Sequence, residues 1–330
     1  MLTTDTLPII ITFLYRYANP LILILGNLGN TLSMVIFSQK YWHKCVSAFY
    51  FKVYLIFSSL YLNSTVLSFT FLIGFDINIS DFNVFLCKFF YYLPCFVLTF
   101  LPTMLIFASI DRLIISAQNI HRRIYHSKYL AYIFISLNAL FWLPFTTHVF
   151  MKINLRKSES SVEHCSYEPN QFHFAYVYYS LLMSDILFVT ILCILCFVSF
   201  KTIHRIHKYS DSQLRPIKKR DFQLLRCLFV YNVVYILTNI SSTIHAVYTE
   251  ITRKQSRTES QQVLQNFFGD LFTFIGFIFY ASSFFIFFTI SKSFRRNFKK
   301  LFRNNDRIVL GKKPIDYRRK TVDVSNITHV

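Results

Sequence analysis

The chain has 330 residues, of which 54% are hydrophobic and only 15% are charged, a balance that disfavours an ordinary soluble globular domain. It holds 39 phenylalanines and 21 tyrosines against 6 glycines and 8 prolines, so collagen-like and intrinsically disordered classes are excluded. The formal net charge of +19 would suggest a nucleic-acid partner if the basic residues formed one patch on a water-soluble domain.

Seven apolar segments are long enough to cross a bilayer, whose hydrocarbon core of about 30 Å takes about 20 helical residues. In chain order they are residues 8–37, 46–75, 85–110, 129–151, 172–200, 222–248 and 263–290. We read all seven as helices, because a spanning strand needs only about 10 residues and the segments lack sustained polar alternation. The sequence therefore predicts an all-α membrane protein, a seven-transmembrane helix bundle.

The ends of the chain are assigned from the same pattern. The first segment lacks the basic start of a removable signal peptide, so we keep it as a spanning helix of a chain that starts at or near Met1. We predict an extracellular amino terminus at residues 1–7, a transmembrane domain at 8–290 and a cytoplasmic region at 291–330, which begins with a short amphipathic helix.

Lysine and arginine fix the predicted orientation. With seven spans, 27 of the 35 basic residues lie on the side of the carboxyl-terminal tail and 8 on the other side. Basic residues collect on the cytoplasmic side of a membrane, so the amino terminus is predicted outside and the tail inside, in the plasma membrane. The positive charge is thereby assigned to topology and to anionic inner-leaflet lipid, and no nucleic-acid partner is expected.

The third segment carries a distinctive residue near each end. Cys87 opens it and Asp111-Arg112 closes it, with 25 residues, about seven helical turns, from Cys87 to Arg112. One residue is therefore at the outer mouth and the other at the cytoplasmic mouth. Cys165, between the fourth and fifth segments, is the other cysteine that the topology places in an outer loop. We predict a disulfide between Cys87 and Cys165 in the oxidising exterior.

Several short patterns carry a family resemblance. They are Gly29-Asn30 in the first segment, the two outer cysteines, Ala108-Ser-Ile-Asp-Arg112 in the third, Trp142 in the fourth, and Phe287-Phe-Thr-Ile-Ser-Lys-Ser-Phe-Arg-Arg296 after the seventh. On these residues the chain resembles the rhodopsin-like (class A) G-protein-coupled receptors over nearly its whole length. The phrase Lys219-Arg-Asp-Phe-Gln-Leu-Leu-Arg226 also looks like divergent invertebrate members, including FMRFamide-receptor-like orphans.

The resemblance implies a role for Asp111 and Arg112. In that family the acid holds the arginine while the receptor rests, and activation swings the sixth helix outward so that the freed arginine lines a cleft for a heterotrimeric G protein. The physical basis is a two-state bundle that a ligand biases. The simpler alternative is that the two residues form an interfacial ion pair at a helix end, which contributes little.

Acidic residues supply the ligand-site candidates. Asp185 lies inside the fifth segment, where an acid must face the bundle or water, and its partner is either a ligand cation or proton, or a structural polar contact. Asp270, near the outer end of the seventh segment, is a second candidate. Pro94 stands at the third-helix position where amine receptors carry an acid, so the resemblance disfavours an amine ligand. Further acids at the outer mouth suit a basic peptide or serve solubility: Asp76, Asp81, Glu159, Glu163 and Glu168.

Two residues are predicted to be structural. Asn30 is a polar group in hydrocarbon, and such groups usually hydrogen-bond to a neighbouring helix. Phe294 begins an apolar face that Phe298, Leu301 and Phe302 continue, with basic residues around it. A helix of this kind is expected to lie on the inner leaflet. Asn78-Ile-Ser80 is a glycosylation sequon on a short outer loop.

The chain also departs from the family pattern. Ser58 stands where the second helix usually carries an acid, and Leu113 follows Arg112 where tyrosine is common. The sixth helix lacks the usual tryptophan and proline, and the fifth lacks its proline. The seventh helix has Ser283-Phe-Phe-Ile-Phe287 in place of Asn-Pro-x-x-Tyr. These changes leave weak, constitutive and lost coupling as alternatives.

Other classes of protein compete with the receptor. A membrane transporter or channel is the main alternative, and it calls for paired intramembrane charges, broken helices or matching halves. An enzyme is not expected, because the histidines are scattered and neither a Ser-His-Asp arrangement nor a phosphate-binding glycine loop is present. Cys193 and Cys196 have CxxC spacing but no second ligand pair, so neither a metal nor another cofactor is expected.

Overall fold

The computed structural model describes residues 6–42, 45–116, 128–157, 163–167, 171–209, 216–252 and 255–309. The helices and strands follow in this order: α1 Thr6–Ser38, α2 Val46–Gly74, α3 Val84–Ser116, α4 Lys128–Lys152, β1 Ile153–Lys157, β2 Glu163–Tyr167, α5 Gln171–Tyr209, α6 Pro216–Ile251, α7 Glu259–Ala281, α8 Ser283–Ile290 and α9 Lys292–Val309. The tail beyond residue 309, assigned to the cytoplasm by the sequence, lies outside these ranges.

In the described part of the chain, seven helices are long and apolar enough to cross a membrane. They are α1 to α7, with α5 contributing its Asp185–His204 portion. Each coincides with one of the seven predicted segments, because an uninterrupted run of about 20 apolar residues can satisfy its backbone in hydrocarbon only as a helix. The predicted seven-helix, all-α membrane bundle is confirmed.

The first two helices contain wider turns that the sequence did not predict. α1 passes through a π-helical turn at Leu14–Ala18, and α2 passes through two, at Leu62–Val66 and Thr70–Gly74. The last of these brings Gly74 against the backbone of α1, where Arg16 Nε donates to the Gly74 carbonyl at 2.7 Å. This bond explains how α1 carries an arginine in its apolar run.

α3 is the central helix of the bundle. It packs against α2, α4, α5 and α6, and its 33 residues span about 50 Å at 1.5 Å per residue. Pro94 and Pro102 lie inside it. The hydroxyl of Thr99 donates to the Phe96 carbonyl at 2.9 Å, so a side chain satisfies part of the polar backbone in this proline-containing stretch.

A two-stranded antiparallel hairpin follows α4 where the sequence indicated only a loop. In β1 and β2, Ile153 pairs with Tyr167 and Leu155 pairs with Cys165. The hairpin is too short and too polar to show the sustained alternation by which a strand is recognised. The Cys87–Cys165 disulfide ties it to α3.

The predicted seventh segment is two helices. α7 ends at Ala281, and Ser282, whose hydroxyl donates to the Phe279 carbonyl at 2.7 Å, separates it from α8. α8 ends at Ile290. The next residue, Ser291, is extended, and its hydroxyl accepts from the Phe294 amide at 3.1 Å as an N-cap for α9. The predicted amphipathic helix is present and is longer than the basic strip suggested.

Aromatic rings fill the core between α1, α2, α8 and α9. Phe37, Phe51, Phe287 and Phe294 pack with ring centroids between 4.7 and 5.8 Å apart, and all four are buried. Such pairs add to the stabilisation that comes from burying apolar area. The Phe294 ring thereby anchors the start of α9 to the bundle.

Candidate functional site

The bundle has two chemically distinct ends. The disulfide end is defined by Cys87, Cys165 and the hairpin β1–β2. The arginine end is defined by Asp111 and Arg112, together with the first turns of α2, α6 and α9. Because α3 carries both Cys87 and Arg112, the two ends are joined by one helix.

Arg112 is buried at the arginine end. It is 2% exposed, and its Nη2 lies 3.1 Å from Asp111 Oδ2, to which Arg112 Nε also donates at 3.3 Å. The same carboxylate oxygen accepts from the hydroxyl of Ser47, on α2, at 2.8 Å. Breaking a buried charge pair costs far more than breaking a surface pair. The Asp111–Arg112 pair is therefore buried at the end of α3.

Polar contacts also tie α6 to its neighbours near Arg112. Asn232 Nδ2 donates to the Ser109 hydroxyl, on α3, at 2.8 Å, and both residues are buried. The hydroxyl of Tyr231 hydrogen-bonds with that of Ser283, on α8, at 2.7 Å. These residues were missed from the sequence. A polar Tyr-Asn pair inside an apolar segment is the signal that would have found them.

The start of α6 is also bound to the turn before α9. Gln223 Oε1 accepts from the Ser293 amide at 3.1 Å and from the Ser291 hydroxyl at 3.4 Å. Arg295 Nη1 donates to the carbonyls of Phe288 and Thr289, at the end of α8. α9 is therefore connected to both α6 and α8 by hydrogen bonds.

The predicted disulfide between Cys87 and Cys165 is present, and both cysteines are buried. It packs with Val149 of α4 and Ile153 of β1. The hairpin is thereby covalently attached to the first turn of α3.

Asp81, predicted as an acid of the outer mouth, holds the hairpin. Its Oδ1 accepts from the Cys165 amide at 2.7 Å, and its Oδ2 lies 3.0 Å from His164 Nδ1. Asp76 is exposed in a left-handed conformation with φ of 57°. Of the other acids predicted here, Glu163 has a described backbone in β2, whereas Glu159 and Glu168 lie outside the described residues.

The three ligand-site candidates lie on three helices. Asp185 on α5, Asp270 on α7 and Pro94 on α3 are each half-buried. The backbone carbonyl of Asp270 accepts from the Tyr15 hydroxyl at 2.8 Å, which ties α7 to α1.

The two residues predicted to be structural contact neighbouring helices. Asn30 is buried on α1, and its Nδ2 donates to the Ser59 hydroxyl on α2 at 3.3 Å. Phe294 is fully buried against α1 and α8. Nearby, Ser58, at the position where the resembled family carries an acid, donates to the Tyr280 carbonyl at 3.0 Å and so ties α2 to α7.

The sequon residues Asn78 and Ser80 are bonded to each other. Asn78 Oδ1 accepts from the Ser80 hydroxyl at 2.6 Å and from the Ser80 amide at 3.3 Å, and Ser80 is buried. Asn78 thus caps the short 3₁₀ turn Ile79–Asp81 that presents Asp81 to the hairpin.

In the part of the chain that the structure describes, histidine, cysteine, aspartate and glutamate side chains form no group of three or more that could hold a metal ion. No protein-family model matches the chain, and no curated protein matches its sequence. Function is therefore inferred from the residues and their geometry.

Proposed function

We propose that the chain is a G-protein-coupled receptor that binds an extracellular ligand at the disulfide end and activates a heterotrimeric G protein at the arginine end. The observation that carries the proposal is the buried Asp111–Arg112 pair at the end of α3, held to α2 by Ser47 and separated from the disulfide by the length of that helix. A peptide is one candidate for the ligand.

The contacts at the arginine end suit a resting state. While Asp111 holds Arg112, the guanidinium is unavailable to a partner. Outward movement of α6 requires loss of the Asn232–Ser109, Tyr231–Ser283 and Gln223–Ser293 hydrogen bonds. A ligand that binds the open state more tightly shifts the population toward it, by as much as its affinities for the two states differ.

Orientation in the plasma membrane is part of the proposal. The 27-to-8 division of basic residues favours an extracellular disulfide end and a cytoplasmic arginine end. α9 would then lie on the inner leaflet, where its basic residues Lys292, Arg296, Lys299 and Lys300 meet anionic lipid.

Asp111→Asn and Arg112→Ala test the proposal without a known ligand. Asp111→Asn removes the negative charge that restrains Arg112, so we expect basal G-protein recruitment in cells to rise severalfold. Adding Arg112→Ala to this variant should return recruitment to the level of untransfected cells. Recruitment is measured by energy transfer between the tagged receptor and a tagged G protein at matched surface expression.

Arg226→Ala is the matched control, because Arg226 is an exposed arginine near the start of α6 that lies over the Phe222 ring. We expect it to leave recruitment unchanged. Equal recruitment with and without Arg112, in well-expressed protein, contradicts the proposal.

A transporter or channel is the second candidate, and the observation that favours it is Asp185. An acid inside a membrane bundle is characteristic of ion and proton pathways. Currents across a planar bilayer that contains the purified chain, abolished by Asp185→Asn, would favour that function over a receptor.

A further inference from the structure

Arg16 is an exposed arginine of α1 that is fixed against the end of α2. Its Nε donates to the Gly74 carbonyl at 2.7 Å, and its guanidinium carbon lies 5.0 Å from the centre of the Phe75 ring. A charged group over an aromatic face is attracted to it, so two contacts hold the guanidinium in one place. The Arg16 side chain is therefore positioned without being buried.

The backbones of both helices are shaped to bring these groups together. The π-helical turn Leu14–Ala18 of α1 contains Arg16, and α2 ends in the π-helical turn Thr70–Gly74. A Cβ on Gly74 would lie 3.0 Å from the N and Cα atoms of Arg16, which are backbone atoms and cannot move aside alone. Single π-helical turns are frequent at functional sites.

The outer edge of the Arg16 guanidinium is available to a ligand. Of its five N–H donors, the bond to Gly74 uses the one on Nε. Within the described residues, Nη1 and Nη2 make neither a hydrogen bond nor an ion pair, and Asp76, two residues beyond Gly74, is not paired with them. These two nitrogens form the fork that binds two oxygens of one phosphate or carboxylate group.

The depth of Arg16 in the membrane favours phosphate. α2 has 29 residues from Val46 to Gly74, and Ser47, at its start, bonds to Asp111 at the arginine end. At 1.5 Å per residue α2 spans about 40 Å, which exceeds the hydrocarbon core of about 30 Å and approaches the thickness that includes the headgroups. With Ser47 at one membrane surface, Gly74 and Arg16 therefore lie among the lipid headgroups of the other.

An apolar surface continues from Arg16 toward the middle of the membrane. Three exposed side chains of α1 recur at intervals of three and four residues and so share one face of the helix: Leu21, Ile24 and Leu28. The rings of Phe13 and Tyr17, also exposed, are 4.9 Å apart beside Arg16. Tyrosine is typical of the headgroup level of a membrane. The surroundings of the guanidinium thus match a lipid, with its headgroup at Arg16 and an acyl chain along α1.

We infer that Arg16, Gly74 and Phe75 form a binding site for the phosphate group of a membrane phospholipid. The Nη1–Nη2 fork binds two phosphate oxygens, while the Gly74 carbonyl and the Phe75 ring keep the fork in place. The inference goes beyond the proposed receptor function, because it requires only that the chain span a membrane, in either orientation.

Native mass spectrometry of the full chain in a non-ionic detergent counts bound lipids and gives their Kd. The probes are phosphatidylcholine, the diacylglycerol with the same acyl chains, and glycerophosphocholine, which has the phosphate without the chains. We expect the parent to bind one phosphatidylcholine at least about tenfold more tightly than either of the other probes. Equal binding of diacylglycerol overturns the inference without any variant. Equal binding of glycerophosphocholine assigns the site to a free phosphate ester and overturns the lipid.

Arg16→Gln removes the charge and the fork but keeps a hydrogen-bonding side chain. We expect it to weaken phosphatidylcholine binding at least about tenfold and to leave diacylglycerol binding unchanged. Phe75→Leu removes the ring at an exposed position and should weaken phosphatidylcholine binding about two- to fivefold, because one of the two contacts that hold the guanidinium is lost.

Arg226→Gln is the matched control. Arg226 is also exposed and lies 4.4 Å from the centre of a phenylalanine ring, that of Phe222, but it is on α6 near the arginine end. We expect this variant to bind phosphatidylcholine as the parent does. Parent-like binding by Arg16→Gln, or an equal loss in Arg16→Gln and Arg226→Gln, overturns the inference. Tm in the same detergent verifies that each variant is folded, and no G protein takes part, so the outcome is independent of signalling.

Discussion

At the scale of single residues, several hydrogen bonds of the arginine end meet at one atom, Asp111 Oδ2. Asp111 Oδ2 accepts from both Arg112 and Ser47, so the acid joins α3 to α2 while it restrains the guanidinium. Arg112 holds further contacts beyond these. The hydroxyl of Ser47 is therefore a positioning group: it acts on Arg112 through Asp111.

Ser47→Ala should raise basal recruitment of the G protein. The substitution removes one buried hydrogen bond to the acid without changing any charge, and a net loss of about 1 kcal/mol corresponds to about a fivefold shift between states. The measurement is the same energy-transfer assay. Thr190→Val is the control, since that hydroxyl bonds only within its own helix, to the Ile186 carbonyl. Unchanged basal recruitment in Ser47→Ala would show that the hydroxyl does not restrain the switch.

The sequence identified the ends of α3 but not the residues around them. Cys87, Asp111 and Arg112 stand out because cysteine and charge are rare in an apolar run. Ser109 does not, since a serine within an apolar run gives no sign of whether it faces the bundle. Ser47 gave no signal either, because its importance comes from a partner 64 residues away.

At the scale of elements, glycine sets how closely α1 approaches its neighbours. A Cβ on Gly26 would lie 2.7 Å from Leu62 Cδ1 and 2.9 Å from the Cβ of Ala281. The end of a leucine side chain can move, but Ala281 Cβ is fixed to the backbone of α7. Gly29 is similarly placed, with its Cβ position 2.9 Å from the Cβ of Phe284.

Gly26→Ala is therefore expected to destabilise the bundle by about 1–3 kcal/mol, as overpacking does, and to lower Tm in detergent. Gly276→Ala is the matched control, because no atom of another helix lies within 4 Å of its Cβ position. It should leave Tm unchanged or raise it, since alanine favours a helix over glycine by up to about 1 kcal/mol. An equal effect of the two substitutions would mean that α1 does not pack on α7 as described.

The helices and the hairpin differ in how well the sequence predicted them. The spanning helices were predictable because hydrocarbon demands internal hydrogen bonding over about 20 residues. The break between α7 and α8 at Ser282 was not predictable, because a serine hydroxyl can bond to its own helix without ending it. The hairpin depends on Asp81 and the disulfide, which are contacts between distant parts of the chain and leave no local pattern.

At the scale of the whole molecule, charge and polar chemistry are separated along the bundle. The buried Asp111–Arg112 pair lies at one end of α3, and the disulfide and hairpin lie at the other.

This arrangement predicts one orientation. A positively charged segment is held on the cytoplasmic side, and 27 of 35 basic residues lie on the side of the tail. An epitope tag after Val330 should bind antibody only in permeabilised cells, whereas a tag before Met1 should bind on intact cells. Staining of the tail tag on intact cells would put Arg112 outside, away from any G protein, and would contradict the receptor and its coupling site together.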